Sequence, residues 1–215
     1  MSNKAAEGLI IKNLSMLEAV MTAFHTKIGP EICGEICKLI EEWAKEQKFD
    51  NKFDLYEEEY FWLAPESWKY RNEQDKEAWI ARYDFVLVED GKEINYGNCA
   101  ATYFLSPFIN VGPVRSGIKF SIDHKAAKFS TLGLWKKFVQ NHKSSNALMK
   151  LDFIPIDNGN WFITWGLDSI ALADAYESEN IADALGPISQ ILEKIQKAHP
   201  IFEKLISDAQ NHFDQ

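Results

Sequence analysis

Residues 79–123 read WIARYDFVLVEDGKEINYGNCAATYFLSPFINVGPVRSGIKFSID. Trp79, Ala81, Tyr83, Phe85 and Leu87 fall on one side of a period-two ladder, with Arg82 and Asp84 on the other. Strict alternation of this kind marks a half-buried strand. Ile118, Phe120 and Ile122 alternate in the same way with Lys119, Ser121 and Asp123. Asp90-Gly91 between apolar runs is a hairpin signal, because a two-residue turn needs positive φ at both positions. Residues 96–105 are predicted to form a middle strand that ends before Pro107. Gly112-Pro113 and Ser116-Gly117 would bracket the next turn. Three consecutive antiparallel strands result, and the other segments take their places around them.

Upstream, Ile10, Leu14, Leu17, Met21 and Phe24 keep helical spacing, so residues 9–25 are predicted as a helix. Gly29-Pro30 should break it, with Pro30 in the first turn of a second helix. That helix carries Ile32, Ile36, Leu39, Ile40 and Trp43 and should end near Gln47. Residues 55–63 read as a strand with Tyr56, Tyr60 and Trp62 inward, and residues 66–76 as a surface loop. Downstream, residues 126–142 suit a helix. A turn at residues 157–160 leads into Trp161, Ile163 and Trp165 on one strand face. Asp168 or Ser169 can cap a helix running to Tyr176. A longer helix holds Ile181, Leu185, Ile188, Leu192 and Ile195, with Pro187 kinking or restarting it, and His199-Pro200 should open a last one. The expected class is α+β, a mainly antiparallel sheet covered by N-terminal and C-terminal helices. The expected organisation is one domain over 1–215: helices in 1–48, a sheet region with one inserted helix in 54–167, and helices in 168–215.

Seven Trp and fourteen Phe among 215 residues supply a large aromatic core. The polar N-terminus shows no secretory pattern, no apolar run could span a bilayer, and three cysteines have no framework spacing. A cytoplasmic protein with no membrane association is expected. The net charge of −9 is unevenly spread. Residues 1–40 are neutral, residues 41–94 carry −8, residues 95–150 carry +7 and residues 151–215 carry −8. A basic island therefore lies within an acidic chain, which speaks to partners and internal pairing.

Few motifs carry chemistry. Cys33 and Cys37 stand four apart on a helix, but a structural zinc needs four ligands, and buried thiols are the simpler reading. No nucleophile elbow, P-loop or dinucleotide fingerprint occurs. Asp123-His124-Lys125 closes a strand and resembles the second half of the PD-(D/E)xK nuclease pattern. The resemblance implies Mg²⁺ held by carboxylates, with Lys125 assisting the attacking water. It departs from that pattern in the middle strand, where residues 96–105 hold no acid, so Asp84 and Asp90 would have to serve with Asp123.

Two surfaces remain. Lys119, Lys125, Lys128, Lys136, Lys137 and Lys143, interleaved with Phe120, Phe129 and Trp135, could hold a nucleic acid by phosphate neutralisation and stacking. The same lysines could instead pair with the acidic strands. Glu57, Glu58 and Glu59, flanked by Tyr56, Tyr60, Phe61 and Trp62, could bind a basic partner or protect a sheet edge. The function expected from the sequence is a non-enzymatic cytoplasmic binding or inhibitor protein without a cofactor. It would meet a protein partner through its acidic, aromatic surface, with Glu57, Glu58, Glu59, Lys136 and Lys137 as contact residues. The alternative is a nucleic-acid-binding protein or Mg²⁺-dependent nuclease centred on residues 115–143. Convergence of Asp84, Asp90, Asp123 and Lys125 in one cleft would favour the nuclease.

Overall fold

The computed structural model describes residues 4–56, 60–71, 76–94, 105–123, 131–156 and 159–213. Its fold is α+β. Seven described strands form one antiparallel sheet in the order β1 (Phe49–Asp54), β2 (Tyr60–Pro65), β5 (Ala81–Glu89), β7 (Arg115–Ile122), β9 (Trp161–Thr164) and β8 (Ile154–Pro155), with β6 (Lys92–Ile94) on β5 beside β2. A separate ribbon pairs β3 (Lys69–Arg71), within the segment expected to be a loop, with β4 (Glu77–Trp79), so that Trp79 belongs to this ribbon and the central strand begins only at Ala81.

The two alternations of the central stretch are realised, but in a different pairing. β5 and β7 are direct neighbours over eight residue pairs, with Tyr83 opposite Phe120 and Asp84 opposite Lys119. β7 starts at Arg115, so Ser116-Gly117 is strand rather than turn. A methyl group at Gly117 would collide with Ile163 O, and so this position lets β9 come close. The expected middle strand at residues 96–105 falls almost wholly outside the described residues. The Asp90-Gly91 turn forms as expected: both residues have positive φ, 49° and 74°, and Glu89 faces Lys92.

One face of the sheet carries Phe61, Leu63, Tyr83, Phe85, Leu87, Ile118, Phe120, Trp161 and Ile163, all buried. Two helices pack on it. One is α3 (Gly29–Glu46), through Ile32, Cys33, Ile36, Ile40 and Ala44; the other is α7 (Gly186–Phe213), through Ile188, Leu192, Ile195, Phe202 and Leu205. The parity of β2 is the reverse of the expected one. Leu55 and Tyr56 belong to the turn after β1, so Phe61 and Leu63 point inward while Tyr60 and Trp62 are half-exposed.

Pro200 and Pro30 do not interrupt a helix where the sequence suggests. Pro200 lies inside α7, which continues because Ala198, Phe202, Leu205 and Ile206 stay buried beyond it. Pro187, by contrast, does restart a helix, at the first turn of α7. At the other end, α1 (Lys4–Lys12) and α2 (Leu14–Ala23) run through a π-helical turn (Phe24–Ile28) directly into α3. Pro30 has no N–H to give. In the wider register of a π turn the carbonyl it leaves open is that of His25, and the Tyr56 hydroxyl donates to that oxygen. The helix therefore passes Gly29-Pro30 without breaking.

After β7, α4 (Leu132–Asn141) buries Trp135 and Val139, and Thr131 Oγ1 caps it by accepting from Leu134 N. α5 (Ser144–Met149) then leads to the β8–β9 hairpin. Asp168 caps α6 (Ser169–Glu177), accepting from Ile170 N at 3.0 Å and Ala171 N at 2.8 Å. Among the described residues, no helix is long and apolar enough to cross a membrane.

Candidate functional site: the outer face of the sheet

The second face of β5 and β7 is where charge collects. Period two puts Arg82, Asp84, Val86 and Val88 on this side of β5, and Lys119 and Ser121 beside them on β7. Val86, Val88 and Phe162 form a small apolar cluster of their own. Asp84 is buried next to it, only 5 % exposed. Ser121 Oγ donates to Asp84 Oδ2 at 2.5 Å. Arg82 Nε stands 2.6 Å from Oδ1 in an ion-pair contact that is not aligned as a hydrogen bond. Burial raises the carboxyl pKa above its ordinary range, and Arg82, Ser121 and Lys119 offset only part of that.

Lys119 reaches across β5 in the other direction. Its Nζ lies 2.9 Å and 2.8 Å from the two carboxylate oxygens of Glu93 on β6. The face thus holds an alternating row, Arg82–Asp84–Lys119–Glu93, in which each charge has an opposite neighbour. Sequence reasoning missed Arg82, Glu93 and Ser121 as members of this row. The signal was present: Glu93 shares the parity of Val88 through the hairpin, and Asp84 and Lys119 are complementary residues on two clean alternations.

The row opens at one end into a cleft of about 420 Å³ lined by Glu77, Ala78, Trp79, Ala81, Arg82, Ser121, Ile122 and Asp123. Asp123 is exposed there, and its backbone N–H donates to Ile80 O at 2.8 Å. Its charge, after burial, raises the pKa of the nearby Tyr70 hydroxyl. Trp79 packs against Trp62, ring centroids 4.4 Å apart, and the two half-exposed indoles make an aromatic rim. Lys69 Nζ lies 2.9 Å from Glu77, 3.3 Å from Asp50 and 5.7 Å from the centre of the Trp79 ring.

The nuclease candidates do not converge here. Asp84 stands one strand from Asp123 but four residues along, roughly 13 Å. Asp90 sits in the hairpin turn at the far end of β5, on the order of 30 Å from the Asp123 end. Lys125 lies outside the described residues, as do Glu57, Glu58 and Glu59. Lys136 is half-buried on α4, and Lys137 is exposed beside Leu134, Phe138, His142, His212 and Phe213 around a second cavity of about 420 Å³. These two lysines are therefore remote in sequence and element from the acidic cleft. Among the described residues, no three His, Cys, Asp or Glu side chains gather to hold a metal ion.

A third cavity, of about 330 Å³, is lined in part by His199, Ser67 and Phe49. Glu203 stands between the other two, accepting from Ser67 Oγ at 3.2 Å and lying 3.4 Å from His199 Nε2. The hydroxyl therefore meets a carboxylate rather than the imidazole, and no nucleophile–base pair results. Burial lowers the His199 pKa, and Glu203 partly offsets that shift. The sequence matches no protein-family model and no curated protein, and the fold matches no solved structure.

Proposed function

We propose that this is a non-catalytic binding protein of the cytoplasm that holds a protein partner through the acidic, aromatic cleft between β4, β5 and β7. The observation that carries the reading is the Trp62–Trp79 pair at the rim of a cleft that also presents Glu77 and Asp123. Carboxylates beside an indole face suit a cationic side chain, by ion pairing and cation–π attraction together. Lys69 of the same chain shows the chemistry at work, with its ammonium shared between Glu77, Asp50 and the Trp79 ring. A lysine or arginine offered by a partner would share Glu77 and the Trp79 ring with Lys69, beside Arg82 in the same lining. The charges of the adjoining row, meanwhile, neutralise one another rather than face a reaction centre.

The test is recovery of the tagged chain from its own cells, as wild type and as Trp79→Ala/Asp123→Lys, with identification of bound protein and nucleic acid. A protein retained by the wild type and lost by the variant supports the reading. Nucleic acid retained equally by both would overturn it.

A second reading is favoured by one observation: Asp84 lies on the strand hydrogen-bonded to β7, opposite Lys119, with Glu93 on the far side of that lysine. Asp, Glu and Lys on one sheet face are the residue types of a PD-(D/E)xK site. Mg²⁺ takes one or two carboxylates completed by waters and phosphate oxygens; Asp84 would be the one carboxylate here, since Glu93 stands opposite Val88, four residues along β5, with its oxygens on Lys119. Mg²⁺-dependent cleavage of DNA or RNA that is lost in Asp84→Asn would establish this reading in place of the first.

A further inference from the structure

Among the described residues, α1 and α2, which follow one another over residues 4–23, put no side chain into the core. No residue of α2 is buried, and the apolar core begins only at Phe24 and Ile28, where the helix meets the body. Leu9, Ile10, Ile11, Leu14, Met16 and Val20 are each 52–73 % exposed. An isolated helix of this length is marginal in water, because helices in proteins owe most of their stability to packing of an apolar face. Six such side chains present about 600 Å² of aliphatic surface. That is the upper end of what a monomer leaves open; Ile10 and Leu14 share one side of the helix, and Leu9, Met16 and Val20 lie about 100° round from it.

We propose that this helix pairs antiparallel with the same helix of a second copy of the chain. Ile10, Leu14, Leu17 and Met21 recur at steps of four, three and four residues, the seam spacing of a two-helix coiled coil. The pattern is self-complementary: in an antiparallel pair Leu14 meets the copy's Leu17, and Ile10 meets its Met21. The flanks carry two acids and two bases, Glu7 and Glu18 with Lys4 and Lys12, so two copies can approach without net repulsion.

The rest of the chain decides the direction. The whole chain carries −9 and this helix none of it, so two bodies repel if they lie side by side. A 20-residue helix is about 30 Å long. Antiparallel pairing puts the two bodies at opposite ends of that length, several times the ~8 Å screening distance at physiological salt. The same charge disfavours an anionic membrane as the occupant. Surface-lying membrane helices are rich in Lys and Arg on their polar face, and this one balances its bases with acids.

Sedimentation velocity of the full chain across the micromolar range tests the proposal. The expected species is a dimer of about twice 24.7 kDa. Ile10→Glu/Leu14→Glu should weaken dimerisation at least ~100-fold, because each glutamate would be desolvated in the seam. Thermal unfolding of the body should be unchanged, since neither residue packs on it. Mixing Ile10→Cys with Met21→Cys chains, each in a background with Cys33, Cys37 and Cys99 replaced by Ala, should give cross-linked heterodimers. A monomeric wild type, or a dimer indifferent to the double substitution, overturns the proposal. So does a monomer that co-sediments with phosphatidylserine vesicles through these same residues. Cross-linking of Ile10→Cys only to itself overturns the antiparallel arrangement.

Discussion

The ring of Phe120 lies flat on that of Phe202, centroids 3.9 Å apart and planes 14° from parallel. This contact ties β7 to the middle of α7, and Tyr83, Trp68 and Phe153 pack around it. Both rings are fully buried. Phe202→Ala should therefore cost about 3–5 kcal/mol, the usual loss for a buried ring. Ile170→Ala, at a residue 71 % exposed, should change stability by less than about 0.5 kcal/mol. Urea unfolding of the two variants checks both numbers. A loss under about 1 kcal/mol for Phe202→Ala would remove this pair from the core.

Asp84 gives the protein a definite pH signature. Its carboxyl pKa is raised in the fold, chiefly by burial. Between the ordinary carboxylate value of 3.8 and the raised native value, the folded chain holds a proton that the unfolded chain has released. Stability from this group is thus present in acid and lost as pH rises through the native value. Asp84→Asn removes that dependence. The melting temperature of the variant should gain on the wild type as pH goes from about 4 to 7. A variant that instead falls further behind at neutral pH would show that this face favours the charged carboxylate.

The thiols should differ in reactivity. Cys33 is buried, and desolvation followed by the nearby Cys37 raises its pKa far above that of a free thiol. Only the thiolate reacts. Under native conditions Cys33 should resist alkylation, while half-exposed Cys37 reacts first, as mass spectrometry of a time course would show. Stoichiometric zinc in the purified protein would contradict the assignment of both as free thiols.

The basic island should not make this a nucleic-acid-binding protein. Lys119 is already clamped by Glu93, and Lys137 faces a cavity shared with Phe138 and His142. Single strands and duplex should show no retention at physiological salt, in the wild type and in Lys136→Glu/Lys137→Glu alike. Micromolar binding that weakens steeply with salt and disappears in the double variant would show that counterion release at these lysines is at work.

Local chemistry made part of this fold legible. The alternations around Tyr83 and Phe120, the Asp90-Gly91 turn, the Asp168 cap and the apolar stripe of α3 each depend on neighbours in the chain, and each is found as read. What was not legible depends on partners far away. Pro30 reads as a stop until Tyr56, distant in sequence, supplies the hydrogen bond that lets the helix continue. Tyr60 and Trp62 read as inward because the turn of the β1–β2 hairpin, which sets their parity, is not encoded by a Gly or Pro. The Asp84–Lys119–Glu93 row needs the direct pairing of β5 with β7, which skips over the intervening chain.

The π turn at residues 24–28 also sets an angle. An α-helix advances about 100° per residue, so one residue more or fewer in a turn rotates everything beyond it by that amount. The facing of the N-terminal stripe relative to the body is therefore set by the length of a five-residue segment, Phe24–Ile28. Deleting Thr26 alone would leave both helices intact in composition and redirect Leu14 and Val20 by nearly a third of a revolution. The fold keeps its N-terminal helix aimed by phase, and an insertion or deletion there would re-aim it while shifting Phe24 against Ile28 where both meet the core.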